Sequence, residues 1–180
     1  MKHTKEALKK ISVASLKWWE EHPEGGDVLK TKEFLEHVKK HEIPPDSPRS
    51  TLLRSGSFFS DTAIDDLRAR SECTKRGMWT IVDMKWTKRL AEWIGDRGVL
   101  EIMAGFGWLA KALRLHDVDI VPTDDFSWHG PEHRHNIGKP LIEIENMEAT
   151  MAVRKYKHLD ILLISWPPYA ETPVCKACKE

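Results

Sequence analysis

One stretch of this chain limits the folds open to it more than any other, because a short apolar strand, a glycine turn and an amphipathic helix follow one another directly. Residues 99–107 read Val-Leu-Glu-Ile-Met-Ala-Gly-Phe-Gly, and the helical pattern of residues 108–116 begins immediately after them. Gly105 and Gly107 let the backbone approach a ligand closely, while the first turn of a helix presents N–H groups without partners. The stretch therefore predicts a nucleotide-type pocket.

Two further strands indicate the kind of sheet in which this pocket lies. The apolar residues 118–123 end in Asp124 and Asp125, at the spacing of one βαβ unit, and residues 159–164 form a later strand. From Val99 onward strands alternate with helices, which is typical of an α/β fold with a parallel sheet. We expect a Rossmann-like parallel sheet of about four strands, with an aspartate placed where it could bind ribose hydroxyls.

The pattern divides the chain into an N-terminal helical region, residues 1–78, and the sheet domain, residues 79–180. At their junction, helical spacing predicts a helix that begins near Trp79 and ends at Gly95 or Gly98. We expect its tryptophans to lie in the core. The apolar face of this helix consists of Trp79, Val82, Trp86, Leu90 and Trp93.

The composition excludes several classes of protein. The 180 residues are 41% hydrophobic and 31% charged with no net charge, and no apolar run reaches the roughly 20 residues that span a bilayer. A charged N-terminal helix stands in place of the apolar core of a signal peptide, so we expect a cytoplasmic protein with no membrane contact. The three cysteines are an odd number and imply no disulfide framework, and no basic surplus indicates binding to long nucleic acid.

Residues 80–170 resemble the class I S-adenosylmethionine-dependent methyltransferases, whose Rossmann-like sheet binds the cofactor beside its first strands. The first motif of that family, an acid followed by a glycine-rich turn, is similar to Glu101-Ile-Met-Ala-Gly-Phe-Gly107, with Met103 where a first glycine is common. The resemblance implies a methyltransferase with S-adenosyl-L-methionine as its cofactor. The cofactor contacts that it implies are Glu101, Met103, Ala104, Gly105, Gly107, Asp124, Asp125 and Glu148.

Two acidic positions carry specific roles in this resemblance. The family's acid at the end of the second strand, which binds the ribose hydroxyls, matches Asp124, with Asp125 as the alternative. A fixed carboxylate suits this role because it accepts two hydrogen bonds from a cis-diol. The family's acid that accepts a hydrogen bond from the adenine amino group matches Glu148, and Glu145 is its competitor. The alternative for Asp124 and Asp125 is an exposed turn that carries two aspartates. The alternative for Glu145 and Glu148 is that they are solvated carboxylates at strand ends.

A diproline segment, Ser165-Trp-Pro-Pro-Tyr169, follows the last predicted strand and is similar to the Asp/Asn/Ser-Pro-Pro-aromatic motif of methyltransferases that modify planar amino groups. Prolines fix a rigid turn, so that an oxygen can accept from an exocyclic amino group while an aromatic ring stacks on its plane. The implied substrate is a nucleobase or an amide, in nucleic acid or in protein. The additional Trp166 leaves open whether the Ser165 hydroxyl or the Trp166 carbonyl accepts. The implied catalytic set is Ser165, Pro167, Pro168 and Tyr169.

Several alternatives stay open. Family members continue through further strands after this motif, so the chain is a fragment, a minimal four-stranded enzyme, or a degenerate relative that binds the cofactor or a partner protein without catalysis. A nicotinamide-dependent enzyme is disfavoured because the three-glycine fingerprint is absent. Two cysteines have the spacing of half a zinc site that nearby histidines could complete, but we expect reduced cysteines and no metal. These residues are Cys175, Cys178, His129, His133 and His135.

Overall fold

The computed structural model describes residues 27–47, 69–127 and 139–165 of the chain. Its strands are β1 Val99–Ile102, β2 Ile120–Asp124, β3 Glu145–Asn146 and β4 Ile161–Leu163. They form one parallel sheet in the order β3-β2-β1-β4. A first strand in the interior, with later strands added on both of its sides, is the arrangement of doubly wound nucleotide-binding folds. The prediction of an α/β fold with a parallel sheet of four strands is confirmed.

Helices cover both faces of the sheet. Within the described ranges they are α1 Asp27–Lys39, α2 Met84–Ile94, α3 Trp108–Arg114 and α4 Ala149–Lys155, and residues 69–74 are also helical. Successive residues of a strand point to opposite faces. Val99 therefore joins the core that includes Phe34 of α1, Ile94 of α2 and the buried residues of α3, while Leu100 packs with Ala152 of α4. The result is a three-layer arrangement of helix, sheet and helix.

β1 is buried along its whole length, since a parallel strand covered on both faces has no side toward solvent. Its apolar run is interrupted only by Glu101, whose carboxyl is thereby carried into the interior. Glu101 lies beside Pro122 of β2 and Leu163 of β4. Because the three strands are parallel and in this register, the segments that follow them meet at one edge of the sheet.

Asp83 connects the beginning of α2 to the chain before it. Its Oδ1 accepts hydrogen bonds from the backbone N–H groups of Lys85 and Trp86, each at 2.9 Å, as an N-cap does. Its Oδ2 accepts from the N–H of Ser47 at 3.0 Å, and the residue is 2% exposed. Because this cap determines the first turn, α2 begins directly after it, and the predicted start near Trp79 is wrong.

The C-terminus of α2 lies where the sequence predicts it, whereas one of its tryptophans is more exposed than predicted. The helix ends at Gly95, one of the two predicted positions, where φ is +59°. The prediction that the tryptophans lie in the core is wrong for Trp93, which is 61% exposed with the guanidinium carbon of Arg97 4.3 Å from its ring centroid. Successive residues of a helix are about 100° apart around its axis. Trp93 therefore points away from the face that carries the buried residues Thr87 and Ile94.

The sequence pattern gives no bounds for β3 or for α4. β3 pairs with β2 through two residues only, which is too short for a periodic signal. α4 has seven residues, and its buried positions are the alanines Ala149 and Ala152, whose apolar signal is weak. No helix in the described part of the chain is long and apolar enough to cross a membrane.

Candidate functional site

A cleft of about 420 Å³ opens at the edge of the sheet where β1, β2 and β4 end. β2 lies on one side of β1 and β4 on the other, so the cleft is at the point where the strand order reverses. Ligands of open α/β sheets bind outside the carboxyl ends of the strands at such a point. The predicted site residues that line the cleft are Glu101, Met103, Ala104, Gly105, Asp124, Asp125, Glu148 and Ser165.

The turn after β1 contains three residues with positive φ, Met103 at 57°, Gly105 at 58° and Gly107 at 76°. The left-handed backbone favours glycine, so Met103 has a conformation that is uncommon for a residue with a side chain. Gly105 faces the cleft, and a Cβ there would lie 3.5 Å from Cδ1 of Trp79. A Cβ on Gly107 would lie 2.9 Å from Cγ1 of Ile142. Gly107 therefore packs behind the turn, and the structure does not bring it into the cleft lining.

Asp124 and Asp125 both line the cleft but are held differently. Asp124 is 4% exposed, its Oδ2 accepts from the N–H of Gly105 and its Oδ1 from the N–H of Phe126, both at 2.7 Å. These charge-assisted bonds brace the turn after β1 against the end of β2. Asp125 is exposed, and its Oδ1 accepts from the N–H of Ser127 at 2.9 Å. Of the two carboxylates, that of Asp125 is the more accessible to a ligand.

Glu101 places a fully buried carboxyl at the inner end of the cleft. Its Oε1 accepts from the Ser165 hydroxyl at 3.4 Å, and its Oε2 has no hydrogen-bond partner among the described residues. Burial raises the pKa of Glu101 to about 8, and the carboxylate of Asp124 adds to this rise. Hydrogen bonds from Ser165 and from the N–H of Ala110 oppose it. The carboxyl is therefore mostly neutral at pH 7.

Ser165 is held in place by a residue that sequence reasoning did not single out. The hydroxyl of Thr80 donates to the carbonyl of Ser165 at 3.0 Å, across 85 positions of sequence. This engages the carbonyl, so the hydroxyl is the more available acceptor of residue 165 toward the cleft. No local pattern marks Thr80, because it acts through a contact with the distant end of β4.

Glu148 and Glu145 lie in different surroundings. Glu148 lines the cleft as the N-cap of α4, where it accepts from the hydroxyl of Thr150 and from the N–H of Met151 at 3.3 Å. The bond from Thr150 is the main reason that the pKa of Glu148 is lowered. Glu145 instead accepts from Lys155 and from a tyrosine hydroxyl, away from the cleft lining. Of these two competitors, only Glu148 is placed near a ligand in the cleft.

The apolar wall of the cleft was not predicted. It includes Trp79, Trp108, Leu109 and Met147. Trp108 is 3% exposed and its indole N–H donates to the Arg76 carbonyl at 2.9 Å. Its position directly after the glycine turn is a signal that could have placed it here, whereas Trp79 reaches the cleft only because α2 begins after it.

Several predicted residues lie outside the part of the chain that the structure describes. Among the described residues, no group of three His, Cys, Asp or Glu side chains is placed to hold a metal ion. The residues outside the described ranges are Trp166, Pro167, Pro168 and Tyr169 of the diproline segment, and Cys175, Cys178, His129, His133 and His135 of the zinc alternative.

We compared the chain with known protein families, with curated proteins and with solved structures, and none of them matches.

Proposed function

We propose that this protein is an S-adenosylmethionine-dependent methyltransferase acting on a planar amino group of a nucleobase or an amide. The main support is the position of the cleft, which lies at the carboxyl edge of a parallel sheet, between the glycine turn after β1 and Ser165 after β4. Nucleotide cofactors bind α/β sheets at the point where the strand order reverses. The glycine turn and the sequence motif that begins at Ser165 favour a methyl donor over a dinucleotide.

The cleft fits S-adenosylmethionine in size and in chemistry. Its volume of about 420 Å³ lies within the roughly 300–1,000 Å³ of small-molecule sites. Trp79 and Met147 offer apolar surface to a purine. The buried Oε2 of Glu101, which has no partner among the described residues, is an incomplete polar group that a cationic or hydrogen-bonding ligand would satisfy. When bound, this cofactor supplies an electrophilic methyl group on a sulfonium.

In this proposal the neighbouring residues Asp124 and Asp125 have different roles. The accessible carboxylate of Asp125 accepts hydrogen bonds from the ribose hydroxyls, because that of Asp124 is engaged by the N–H groups of Gly105 and Phe126. Asp124 positions the turn on which the cofactor rests. This reverses the order of preference that strand spacing alone favours.

The acceptor substrate binds at the Ser165 end of the cleft. The Thr80 hydroxyl fixes residue 165 by its bond to the carbonyl, so the Ser165 hydroxyl oxygen accepts from the amino group of the substrate. Because the methyl donor is already reactive, alignment of nitrogen, carbon and sulfur supplies much of the acceleration. Stacking of the substrate on Tyr169 stays a prediction from the sequence.

Calorimetric titration tests cofactor binding directly. We expect saturable binding of S-adenosylmethionine and of S-adenosylhomocysteine, and none of NAD. Asp125→Asn should weaken binding, while the matched control Asp119→Asn, which changes an exposed aspartate just before β2 at the opposite end of that strand, should not. If the intact protein binds neither compound at millimolar concentration, the proposal is wrong.

Methyl transfer from radiolabelled cofactor onto pools of DNA, RNA and protein tests the catalytic part. Label incorporated into one pool, and lost in Ser165→Ala with binding retained, would support an enzyme. Cofactor binding with no labelled product in any pool would favour the alternative, a non-catalytic module that binds the cofactor or a partner protein.

A further inference from the structure

The buried carboxyl of Glu101 lacks part of the hydrogen bonding that such a group needs. Its carboxyl is completely buried at the inner end of the cleft, and Oε2 has no hydrogen-bond partner among the described residues. A buried polar oxygen without a partner is costly, and in a native structure it calls for an explanation such as a catalytic role or a bound water or ion. The other oxygen of this carboxyl, Oε1, accepts a hydrogen bond from the hydroxyl of Ser165.

Ser165 connects this carboxyl to the space where a substrate would lie. Its Oγ–H donates to Glu101 Oε1 at 3.4 Å, a long hydrogen bond of the kind that tightens when a substrate binds. Both residues line the cleft, and Thr80 fixes the backbone of residue 165. An amino group that donates to Ser165 Oγ is therefore one hydroxyl away from the Glu101 carboxyl.

We propose that Glu101 is the proton acceptor of the reaction and receives, through the Ser165 hydroxyl, the proton that the substrate nitrogen loses on methylation. The inference rests on the proposed function, because it assigns a further role within the same site.

The step balances without any additional reactant. The nitrogen lone pair forms the new N–C bond while the carbon–sulfur bond breaks and leaves its electron pair on sulfur, so the positive charge moves to nitrogen. The nitrogen then gives a proton to Ser165 Oγ as the Ser165 proton passes to Glu101 Oε1. The products are a neutral methylated amine, a neutral thioether and a neutral Glu101 carboxyl.

The charges around Glu101 determine when its carboxyl can accept a proton. From β2, the carboxylate of Asp124 favours the neutral acid, whereas the Ala110 N–H of α3 and the Ser165 hydroxyl after β4 favour the anion. Residues 77–82, which pass over the cleft, bring no charged side chain. At the cleft edge the carboxylates of Asp125 and Glu148 add negative charge but are exposed.

Burial outweighs these neighbours and raises the pKa of Glu101 to about 8 in the protein alone. A cation in the cleft reverses the balance, because opposite charges attract strongly where water is excluded. Glu101 therefore loses its proton when the sulfonium binds, and it is ready to take one back when the positive charge moves from sulfur to the substrate nitrogen.

Binding-linked proton release tests this without any need to know the substrate. S-adenosylmethionine and S-adenosylhomocysteine are titrated calorimetrically at pH 7 in two buffers of different ionisation enthalpy. Because their other ionisable groups are the same, the difference between them reports the sulfonium charge. The natural protein should release more than half a proton with the first ligand and close to none with the second. Glu101→Gln should release none with either, and the control Glu36→Gln, whose carboxylate lies on α1 outside the cleft lining and has a lowered pKa, should behave as the natural protein does.

A second measurement keeps the inference testable if Glu101→Gln folds poorly. In protein labelled with ¹³C at the glutamate carboxyls, one resonance should titrate near pH 8 and move to its ionised position on addition of S-adenosylmethionine but not of S-adenosylhomocysteine. Equal proton release with the two ligands, or release that persists in Glu101→Gln, would overturn the inference and leave the proposed function intact. Failure of both ligands to bind would instead reject the proposed function and the inference with it.

Discussion

Replacing Glu101 by glutamine should stabilise the protein at neutral and alkaline pH, although it removes a carboxyl from the candidate site. The ordinary pKa of a glutamate is 4.5, and burial raises that of Glu101 to about 8. Between these values the unfolded chain binds fewer protons at this position than the folded chain does. The free energy of unfolding therefore falls as the pH rises through this window, and the contribution of Glu101 is complete below pH 4.5 and lost above pH 8.

The magnitude follows from the width of the window. It spans about 3.5 pH units, and each unit corresponds to about 1.4 kcal/mol, so the natural protein loses about 5 kcal/mol of stability that a neutral glutamine keeps. The difference between Glu101→Gln and the natural protein should be small at pH 5, grow by about 1.4 kcal/mol per unit, and level off near pH 8. Other titrating groups cancel because they are common to both proteins.

Urea denaturation followed by fluorescence of the eight tryptophans measures this difference from pH 5 to pH 8.5. Glu148→Gln is the control, because the pKa of Glu148 is lowered by its bond from Thr150 and its carboxylate is ionised throughout this range. Its difference from the natural protein should be nearly independent of pH. Parallel curves for Glu101→Gln and the natural protein would refute the reasoning, since Glu101 would then titrate alike in the folded and unfolded chains.

Three further results are expected. Asp124→Ala should lower both the melting temperature and cofactor affinity, because it leaves the buried N–H of Gly105 and the half-buried N–H of Phe126 without their acceptor. Asp125→Ala should lower affinity alone, by about 1.5–3 kcal/mol in calorimetry, and equal melting temperatures for the two variants would contradict the bracing role. Gly107→Ala should destabilise the protein by about 1–3 kcal/mol in urea denaturation, and by more than Gly95→Ala, because both have positive φ but only at position 107 does a Cβ meet another side chain within 4 Å. Tyr169→Ala should leave cofactor affinity within about a factor of three but lower turnover in the labelling assay, by an amount that corresponds to roughly 1–3 kcal/mol of lost stacking and alignment. Tyr169→Phe should have nearly normal turnover, and normal methylation by the alanine variant would show that the ring has no role in catalysis.

Local patterns predict the centre of the sheet well. The run at Val99–Ile102 is buried on both faces, so a mostly apolar strand marks it without any knowledge of its neighbours. The glycine turn is similarly local, because a positive φ is a property of single residues such as Gly105. For this reason most of the predicted residues that the structure describes lie around one cleft.

The roles of individual side chains depend on contacts that sequence patterns do not contain. The bond from the Gly105 N–H to Asp124 joins positions 19 apart, and it engages the carboxylate expected to bind ribose. The contact between Ser165 and Glu101 joins positions 64 apart, so neither residue alone indicates a coupled pair. Even the choice between Asp124 and Asp125 depends on a strand end that extends one residue beyond the prediction, because successive residues of a strand point in opposite directions.

The double attachment of Asp83 has a consequence for how the protein opens. One buried carboxylate holds the amides of Lys85 and Trp86 at the start of α2 and the amide of Ser47 in the preceding segment, so neither part can leave without removing an acceptor from the other. Pro44 strengthens the link, since its carbonyl accepts from the first N–H of α2 at 2.8 Å. In native-state hydrogen exchange these amides should therefore exchange through one shared opening event, and the described part of the helical region should unfold cooperatively with the sheet and not as a separate hinged piece.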